Sequence, residues 1–228
     1  MSLVLKALGV ESVAWGFLAG FTGAEIQRQL DEAGVQTGFV SGTEGNSRIN
    51  WKLTEQEGTE INGQGPEISD IEAGKLLQKC RCLKAGDILF LSGSLPGSLH
   101  GDFYGRIMDI ASENGATVIL DAGGNALLQG VSHEPYLIKP NHYELGEIYG
   151  KELQTVEEVI PYGQKLQDAG AKNVLISLAG AGAVLLTENG QVIRANAPQG
   201  VVKNAVGAGD AMLAGFMVGI INSGSFFT

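Results

Sequence analysis

The sequence has few cysteines, few prolines and a deficit of positive charge. Its 228 residues include 2 cysteines and 6 prolines, and 15 Lys and Arg stand against 25 Asp and Glu, for a formal net charge of −10. Nucleic acids and anionic membrane surfaces attract basic proteins, so neither is expected as a partner of so acidic a chain. An anionic small molecule would have to be bound locally, by helix starts, a few cations or a metal ion.

The cysteines and the hydrophobic runs exclude further classes of protein. Cys80 and Cys82 lie in a predicted helix, Ile71 to Leu83, where residues two apart point to different faces, so neither a disulfide nor a shared metal is expected. The longest apolar run, Ala211 to Ile221, is too short to span a bilayer, and Met1 to Lys6 lacks the basic start of a secretion signal. A cytoplasmic protein without a membrane partner is therefore expected.

Glycine is abundant, and its distribution predicts the fold class. The 34 glycines fall in pairs and near-pairs between apolar segments, as expected of many tight strand–helix connections. Beyond residue 86, strand and helix patterns alternate, which implies an α/β fold with a mostly parallel sheet, in a single domain over residues 1–228. Predicted strands are Val10–Gly20, Val35–Val40, Asp87–Ser92, Thr117–Asp121, Tyr136–Lys139, Asn173–Leu178, Ala183–Thr187 and Gln191–Ala195; predicted helices are Thr22–Ala33, Gly101–Asn114, Asn125–Gln129, Asn141–Tyr149 and Thr155–Ala169.

Between the predicted strands Val35–Val40 and Asp87–Ser92, a hairpin is predicted over about residues 46–63. Residues 48–53 alternate strictly, so that Ile49, Trp51 and Leu53 share one face while Arg48, Asn50 and Lys52 share the other. Thr59 to Asn62 could return as the antiparallel partner. The polar, cation-bearing face is either a binding surface or a half-solvated sheet edge.

The segment from Asn204 to Phe216 is the strongest functional signal. Gly207 to Gly209 predicts a tight turn that opens a helix with Asp210 in its first turn. Amides at a helix start point outward and carry partial positive charge, which suits a phosphoryl group. Asp210 could then accept the proton of an attacking hydroxyl. The alternative is a glycine turn followed by an acid that merely stabilises the helix start.

A second motif ends one strand and opens the next helix. Lys139 could meet a phosphate, while Asn141 and Glu144 could order the water shell of a Mg²⁺ ion. The same Asn and Glu, three residues apart, also resemble a capping box. The sequence leaves both interpretations open.

Three further stretches follow predicted strands. Small residues between Ser177 and Gly182 permit close backbone approach, either by a nucleotide or within a plain turn. Ser92 to Gly97 could present hydroxyls and amides to a sugar, with Ser94 as the candidate. Asp121 is either an acid near phosphates or metal, or simply a loop acid, and the latter is favoured.

Taken together, the ordered motifs resemble one family. Asn-Ala-Val-Gly-Ala-Gly-Asp (204–210), Lys-Pro-Asn-x-x-Glu (139–144), Ser-Leu-x-x-x-Gly-Ala (177–183), Ser-Gly-Ser-Leu-Pro (92–96), Gly-Phe-Thr-Gly (20–23) and Ser-Arg-Ile-Asn-x-Lys-Leu (47–53) occur in the order found in the PfkB branch of the ribokinase-like sugar kinases. Within it the sequence resembles the 1-phosphofructokinase group, with tagatose-6-phosphate kinase as a near relative. The resemblance implies a three-layer α/β/α fold with a small β lid.

The resemblance also implies an ATP- and Mg²⁺-dependent kinase of a sugar phosphate, acting on D-fructose 1-phosphate or alternatively on tagatose 6-phosphate. Asp210 would be the base, and the amides of Gly207, Ala208 and Gly209 would hold the transferred phosphoryl group. Arg48 would meet the phosphate already on the sugar, with Asn50 and Ser94 also in the sugar site, and the lid strands would form a homodimer contact. The residues implied near the nucleotide, phosphates and metal are Lys139, Asn141, Glu144 (through water), Ser177, Gly182 and Asn204.

The chain departs from the family pattern in three places. Ala179 stands where the family usually has Gly, and Ala211 where Ser often follows the Asp. Family members also begin with a sugar-binding Asp and a Gly-Gly-Lys-Gly-x-Asn segment, and end with helices beside the adenine site; the chain is expected to be incomplete at both ends. The alternative function is therefore a truncated, non-catalytic remnant that binds nucleotide.

Overall fold

The computed structural model describes residues 1–42, 44–52, 60–99, 101–202 and 205–224. Two compact units are distinguished by their internal contacts, and each is described by itself: the first comprises Met1–Leu76, Pro96–Leu99 and Asn204–Thr228, the second Leu77–Leu95 and His100–Lys203. In chain order the elements are α1 (Ser2–Ala7), β1 (Val13–Ala14), β2 (Phe17–Leu18), α2 (Gly20–Glu32), β3 (Gln36–Thr37), β4 (Val40–Ser41), β5 (Asn50–Lys52), β6 (Glu60–Asn62), α3 (Asp70–Cys80), β7 (Ile88–Ser92), α4 (Phe103–Glu113), β8 (Thr117–Asp121), α5 (Gly124–Gly130), β9 (Leu137–Ile138), α6 (His142–Tyr149), α7 (Val156–Asp168), β10 (Asn173–Ser177), β11 (Ala183–Leu186), β12 (Val192–Ala195) and α8 (Ala208–Ser223).

The second unit is built on a six-stranded sheet with the order β12-β11-β10-β9-β8-β7. Strands β7 to β10 run parallel, whereas β11 and β12 are antiparallel to their neighbours. The mostly parallel sheet predicted from the strand–helix alternation is confirmed. Its parallel strands all end at one edge, where ligands bind in sheets of this kind.

The core of this unit lies on the central strands. Ile119, Leu120, Leu137, Ile138 and Ile176 have no exposed surface. Helices α4 and α5 contact β8, and α7 contacts β10 and β11. Strands covered by helices are apolar along their whole length, which explains why their sequences show no alternation.

Helix α7 shows how local sequence sets an element's bounds. Thr155 accepts a hydrogen bond from the amide of Glu158, and the Glu158 side chain accepts from the amide of Thr155, which forms a capping box. The helix ends at Asp168, just before Ala169 and Gly170. Its predicted position, Thr155 to Ala169, is confirmed.

The first unit differs from the prediction in its early strands. The single strand expected from Val10 to Gly20 is two short strands, β1 paired with β3 and β2 paired with β4, all parallel. Glycine weakens strand pairing, and Gly16 and Gly38 lie at the interruption. Helix α1 was not predicted; it buries Leu5 and packs on α8, a tertiary contact that its short sequence does not reveal.

The predicted hairpin is present in this unit. Strands β5 and β6 are antiparallel, with Asn50 opposite Asn62 and Trp51 opposite Ile61. The strand begins at Asn50 rather than at Arg48, and Leu53 lies outside the described residues. Ile49, Trp51 and Ile61 are 50%, 62% and 58% exposed, so the apolar face of the hairpin is open to solvent.

Both cysteines are free thiols. Cys80 is the last residue of α3 and is buried, while Cys82 follows the helix and is exposed. Burial raises the pKa of the Cys80 thiol to about 11. In the part of the chain that the structure describes, no helix is both long enough and apolar enough to cross a bilayer.

Candidate active site

The first unit carries the predicted base at the start of α8. Gly207 precedes the helix in a left-handed conformation (φ 81°), which a residue with a side chain rarely adopts. The amide of Ala208 donates to the carbonyl of Ala205 at 3.1 Å, and within the described residues no side chain caps this end of the helix. A helix opened by glycine with Asp210 in its first turn is confirmed, but the turn is shorter than predicted, since the helix already begins at Ala208. Phosphoryl binding there stays a prediction.

Asp210 lies in the first turn of α8, and its side chain is 44% exposed. Its Oδ2 atom is 3.5 Å from the amino group of Met1. A half-exposed carboxylate at a helix start can be reached by a ligand and benefits from the helix dipole. Its position is compatible with the proton-accepting role predicted for it.

Arg48 and Asn50 belong to the same unit, on the chain leading into the hairpin. Both are exposed, and Asn50 begins β5 opposite Asn62. On either side of Arg48 the backbone is bonded: the Ser47 amide donates to the carbonyl of Ala19, and the Ile49 carbonyl accepts from the amide of Gly63. The arginine is therefore presented from a fixed segment.

The second unit brings several candidates to the carboxyl edge of its sheet. Lys139 Nζ lies 3.0 Å from Oδ1 of Asp121, and their side chains are 7% and 19% exposed. Asp121 ends β8, and Lys139 follows β9, so the parallel register of these neighbouring strands makes them neighbours. Asp121 is thus the partner of Lys139, and its interpretation as a simple loop acid was wrong. Removing the Asp121 carboxylate would leave the buried Lys139 ammonium without this ion pair.

Tyr104, on α4, forms hydrogen bonds at the same edge of the sheet. Its hydroxyl is 3.0 Å from the carbonyl oxygen of Ser92 and 3.1 Å from that of Gly93. Burial, followed by the charge of Asp121, raises the pKa of Tyr104 to about 12, so the hydroxyl keeps its proton for donation. This contact holds the end of β7, from which the chain continues to Ser94.

The capping box predicted for α6 is present. Asn141 Oδ1 accepts from the amide of Glu144 at 2.9 Å, and Glu144 Oε2 accepts from the amide of Asn141 at 2.8 Å. The other oxygen, Oε1, faces Gly123, where a Cβ atom would lie 3.5 Å away. The cap fixes the Glu144 carboxylate, and the glycine leaves space beside its second oxygen.

Ser177 ends β10 and is bonded to the start of α6. Its amide donates to the carbonyl of Pro140 at 3.2 Å, and Asn141 pairs with it as an isolated parallel bridge. His142 Nδ1 lies 3.2 Å from the Ser177 carbonyl, so this nitrogen carries the proton. Asn141, Glu144 and Ser177 are therefore held together.

At residue 182, both the backbone conformation and the closeness of a neighbouring strand require glycine. Its φ is 95°, and a Cβ atom there would lie 2.1 Å from the carbonyl oxygen of Ala195. The close backbone approach suggested by the sequence is therefore made by the chain's own strand β12. Ala179 also has a positive φ of 46°, a conformation that favours glycine, the residue expected at this position from the sequence resemblance.

The predicted residues divide between the two units. Arg48, Asn50, Gly207, Ala208, Gly209 and Asp210 belong to the first unit, and Ser94, Lys139, Asn141, Glu144, Ser177 and Gly182 to the second. Asn204 lies outside the described residues. Sequence reasoning assigned no role to Tyr104 or His142 and undervalued Asp121. The acid at the end of a parallel strand was a usable signal for Asp121, whereas the other two depend on tertiary contacts.

The oxygen donors in the second unit suit a magnesium ion. Within the described residues no group of three or more His, Cys, Asp or Glu side chains converges. Mg²⁺ at phosphoryl-transfer sites is usually held by one or two carboxylates together with waters and substrate phosphates, so such a group is not required. The fixed Glu144 carboxylate, with space beside Oε1, fits a contact through water.

Residues 1–227 match the pfkB family of carbohydrate kinases. The chain is 47% identical over 220 residues to 1-phosphofructokinase of Bacillus subtilis, covering 96% of this chain and 72% of that protein. It is 41% identical over 218 residues to D-tagatose-1-phosphate kinase of Bacillus licheniformis, covering 95% of this chain and 71% of that protein.

A solved structure agrees with both. The crystal structure of a candidate phosphofructokinase from Staphylococcus aureus superposes with a TM-score of 0.84 at 38% sequence identity, covering 99% of this chain and 73% of that one. The parallel sheet, its helices and the small β hairpin therefore represent the ribokinase-like α/β fold. The chain belongs to the pfkB family of carbohydrate kinases, as the ordered motifs indicated.

Proposed function

We propose that this chain transfers the γ-phosphoryl group of ATP to D-fructose 1-phosphate, giving D-fructose 1,6-bisphosphate and ADP. The observation that carries the proposal is its 47% identity to a 1-phosphofructokinase over 96% of its length, combined with an aspartate in the first turn of a glycine-opened helix. The test is ADP release that depends on the sugar phosphate, measured with a coupled assay.

Asp210 is proposed as the general base. It accepts the proton of the sugar hydroxyl as that oxygen forms a bond to the γ-phosphorus, and the bond from the γ-phosphorus to the bridging oxygen of ADP breaks. A positioned carboxylate is the usual group for this proton transfer in kinases. Its half-exposed position at the start of α8 supports the role.

The helix start supplies the electrostatic part of the proposal. Amides of residues 207–209 and the dipole of α8 favour negative charge on the transferred group. Of these three amides, the amide of Ala208 already donates a hydrogen bond to the carbonyl of Ala205 in this structure. Charge stabilisation of this kind is commonly the largest contribution to phosphoryl transfer.

In the second unit, Glu144 is proposed to contact Mg²⁺ through water, with Asn141 beside it and Lys139 near the phosphates. When bound, the ion would neutralise charge on the phosphate oxygens. The capping box keeps the carboxylate in one orientation, and Asp121 keeps Lys139 in place. Ser177, Gly182 and Asn204 are proposed to border the nucleotide.

Arg48→Ala is expected to raise the KM for D-fructose 1-phosphate about tenfold to a hundredfold, because a guanidinium–phosphate contact is a strong, charge-assisted interaction. The KM for ATP should stay within about twofold, since one substrate loses its contact and the other does not. Steady-state kinetics with each substrate varied separately measure both values.

Arg28→Ala is the matched control. Arg28 is an exposed arginine on α2 in the same unit, paired with Glu25 and Glu32. Its removal should leave both KM values unchanged. An unchanged sugar KM in Arg48→Ala would remove that residue from the sugar site.

The second relative suggests the alternative acceptors. By its name, the Bacillus licheniformis protein acts on D-tagatose 1-phosphate, and the sequence resemblance pointed to tagatose 6-phosphate. Both are phosphates of a ketohexose, as is D-fructose 1-phosphate. Comparing kcat/KM for the three acceptors ranks them, and the highest value identifies the substrate.

We further propose that the hairpin packs against the hairpin of a second copy of this chain. Ile49, Trp51 and Ile61 share one exposed apolar face, and exposed apolar patches that include a tryptophan are typical of protein interfaces. Arg48 and Asn50 would then lie beside the dimer contact.

The free thiols fit a reducing, cytoplasmic location.

Trp51→Glu is expected to convert a dimer into a monomer, because it places a charge at the centre of the apolar face. Light scattering after size exclusion gives the mass directly. Ile71→Glu is the control, since Ile71 is 73% exposed on α3, away from the hairpin sequence. A wild-type chain that is monomeric at high concentration would contradict this proposal.

A further inference from the structure

The Gly-Phe-Thr-Gly motif at residues 20–23 has no role in the function proposed so far. It forms the start of α2, and no side chain at its N-cap, Ala19, closes the helix. Instead, the helix start is contacted by residues 45–47, the segment that immediately precedes Arg48. We call residues 45–47 the anchor segment.

The amide, the carbonyl and the side-chain hydroxyl of Ser47 each form a hydrogen bond with this helix start. Its amide donates to the Ala19 carbonyl at 2.9 Å, and its Oγ accepts from the Ala19 amide at 3.1 Å. Its carbonyl accepts from the Thr22 hydroxyl at 2.8 Å. Ser47 and Thr22 are both buried, with 7% and 9% of their surface exposed.

Asn46 adds a bond that a helix cap would normally make. Its Oδ1 accepts from the amide of Phe21 at 3.2 Å, so a residue from a distant segment satisfies an amide of the first turn of α2. The anchor segment thus occupies the position that a capping side chain would take. Its hydrogen bonds involve the side chain of Asn46 and both the backbone and the side chain of Ser47.

The two glycines of the motif make this approach possible. Gly20 has a φ of 61°, and a Cβ atom there would lie 2.0 Å from Asn46 Oδ1 and 2.6 Å from the Gly45 carbonyl oxygen. A Cβ atom on Gly23 would lie 3.1 Å from Ser47 Oγ. The motif is therefore a docking surface for the anchor segment, which explains its residue types.

We propose that the Gly-Phe-Thr-Gly motif, acting through Thr22 and Ser47, positions Arg48 for the phosphate of the sugar. The Ser47 carbonyl belongs to the peptide group that joins it to Arg48, so the Thr22 hydroxyl fixes the backbone directly before the arginine. On the other side, the Ile49 carbonyl accepts from the Gly63 amide at 3.1 Å. The inference rests on the proposed contact between Arg48 and the sugar phosphate.

Positioning of this kind affects binding of one substrate. A long side chain on a loose backbone spends less time in the orientation that binds phosphate, so the affinity falls without loss of the binding group itself. Thr22 and Ser47 touch neither substrate in this proposal and are positioning residues. Their removal should change the sugar KM and leave the ATP KM unaltered.

The test is a double-mutant cycle between Thr22 and Arg48. Thr22→Val keeps the shape of the side chain but removes the donor to Ser47, and it is expected to raise the KM for D-fructose 1-phosphate about threefold to tenfold, as for the loss of one hydrogen bond. Thr22→Ser keeps the hydroxyl and should stay within about twofold of the wild type. Combined with Arg48→Ala, Thr22→Val should produce no further rise, because the two act through one contact.

Thr155→Val controls for a general loss of stability. Thr155 caps α7 in the second unit, where its hydroxyl oxygen accepts from the backbone amide of Glu158, so its substitution should lower stability and leave the sugar KM unchanged. Urea unfolding of each variant establishes that the chain is folded during the assay.

The outcomes separate this inference from the function on which it rests. A raised sugar KM in Arg48→Ala with an unchanged KM in Thr22→Val overturns the positioning role alone. An unchanged KM in Arg48→Ala overturns both. An equal rise from Thr22→Val in the presence and absence of Arg48 also overturns the positioning role, because the effect would not pass through the arginine.

Discussion

Asp210→Asn is expected to lower kcat about a hundredfold to ten-thousandfold, the contribution usually made by a positioned general base. Asparagine has nearly the same shape, but its amide does not accept the hydroxyl proton under these conditions. ATP binding should change little, because the residue acts on the sugar hydroxyl during transfer. The change would therefore appear in kcat and in kcat/KM together.

The experiment combines turnover with binding. A coupled assay gives kcat, and titration calorimetry gives the dissociation constant for ATP. Asp70→Asn is a suitable control, because Asp70 is also an acid in the first turn of a helix, α3. If Asp210→Asn lost turnover and ATP affinity to the same extent, the residue would hold the nucleotide rather than accept a proton.

Gly182→Ala is expected to destabilise the chain by about 2 to 5 kcal/mol, through a strained backbone and a steric clash. Gly182 has φ 95° and ψ −139°, a combination that L-residues rarely adopt. The new methyl group would also lie 2.1 Å from the Ala195 carbonyl oxygen and 2.9 Å from the Ala197 nitrogen. A loss of this size is a large fraction of the stability of a typical domain.

Gly180→Ala provides the comparison, because a Cβ atom there meets nothing within 4 Å. Urea unfolding followed by circular dichroism gives the free energy of unfolding for both variants. If Gly182→Ala were as stable as Gly180→Ala while ATP binding fell, the glycine would serve the nucleotide and not the turn.

Elements with local signals were predictable from the sequence. Strand β8 was predicted as Thr117–Asp121 and is found there, because a run of β-branched and apolar residues ends in an acid before two glycines. The capping box of Asn141 and Glu144 is likewise a pattern of residues three apart. Such signals depend on bonds between near neighbours in the chain.

The rest depends on contacts between residues far apart in the chain. The ion pair of Lys139 with Asp121 follows from the register in which Ile119 pairs with Leu137, and no local pattern sets that register. The sequence also left open whether Gly182 approaches a nucleotide or its own chain; the nearby Ala195 carbonyl comes from the return strand β12. The hydrogen bond between Thr22 and Ser47 likewise joins residues that are 25 apart in the chain.

The most direct test of the proposed function is ADP release by this 228-residue chain with Mg·ATP and D-fructose 1-phosphate, tagatose 6-phosphate, D-tagatose 1-phosphate or no sugar. The account predicts turnover that requires a sugar phosphate and is fastest with D-fructose 1-phosphate. It also predicts that Asp210→Asn lowers this turnover about a hundredfold or more. ATP binding without turnover on any of these sugars would contradict it and would identify the chain as a non-catalytic, nucleotide-binding member of the family.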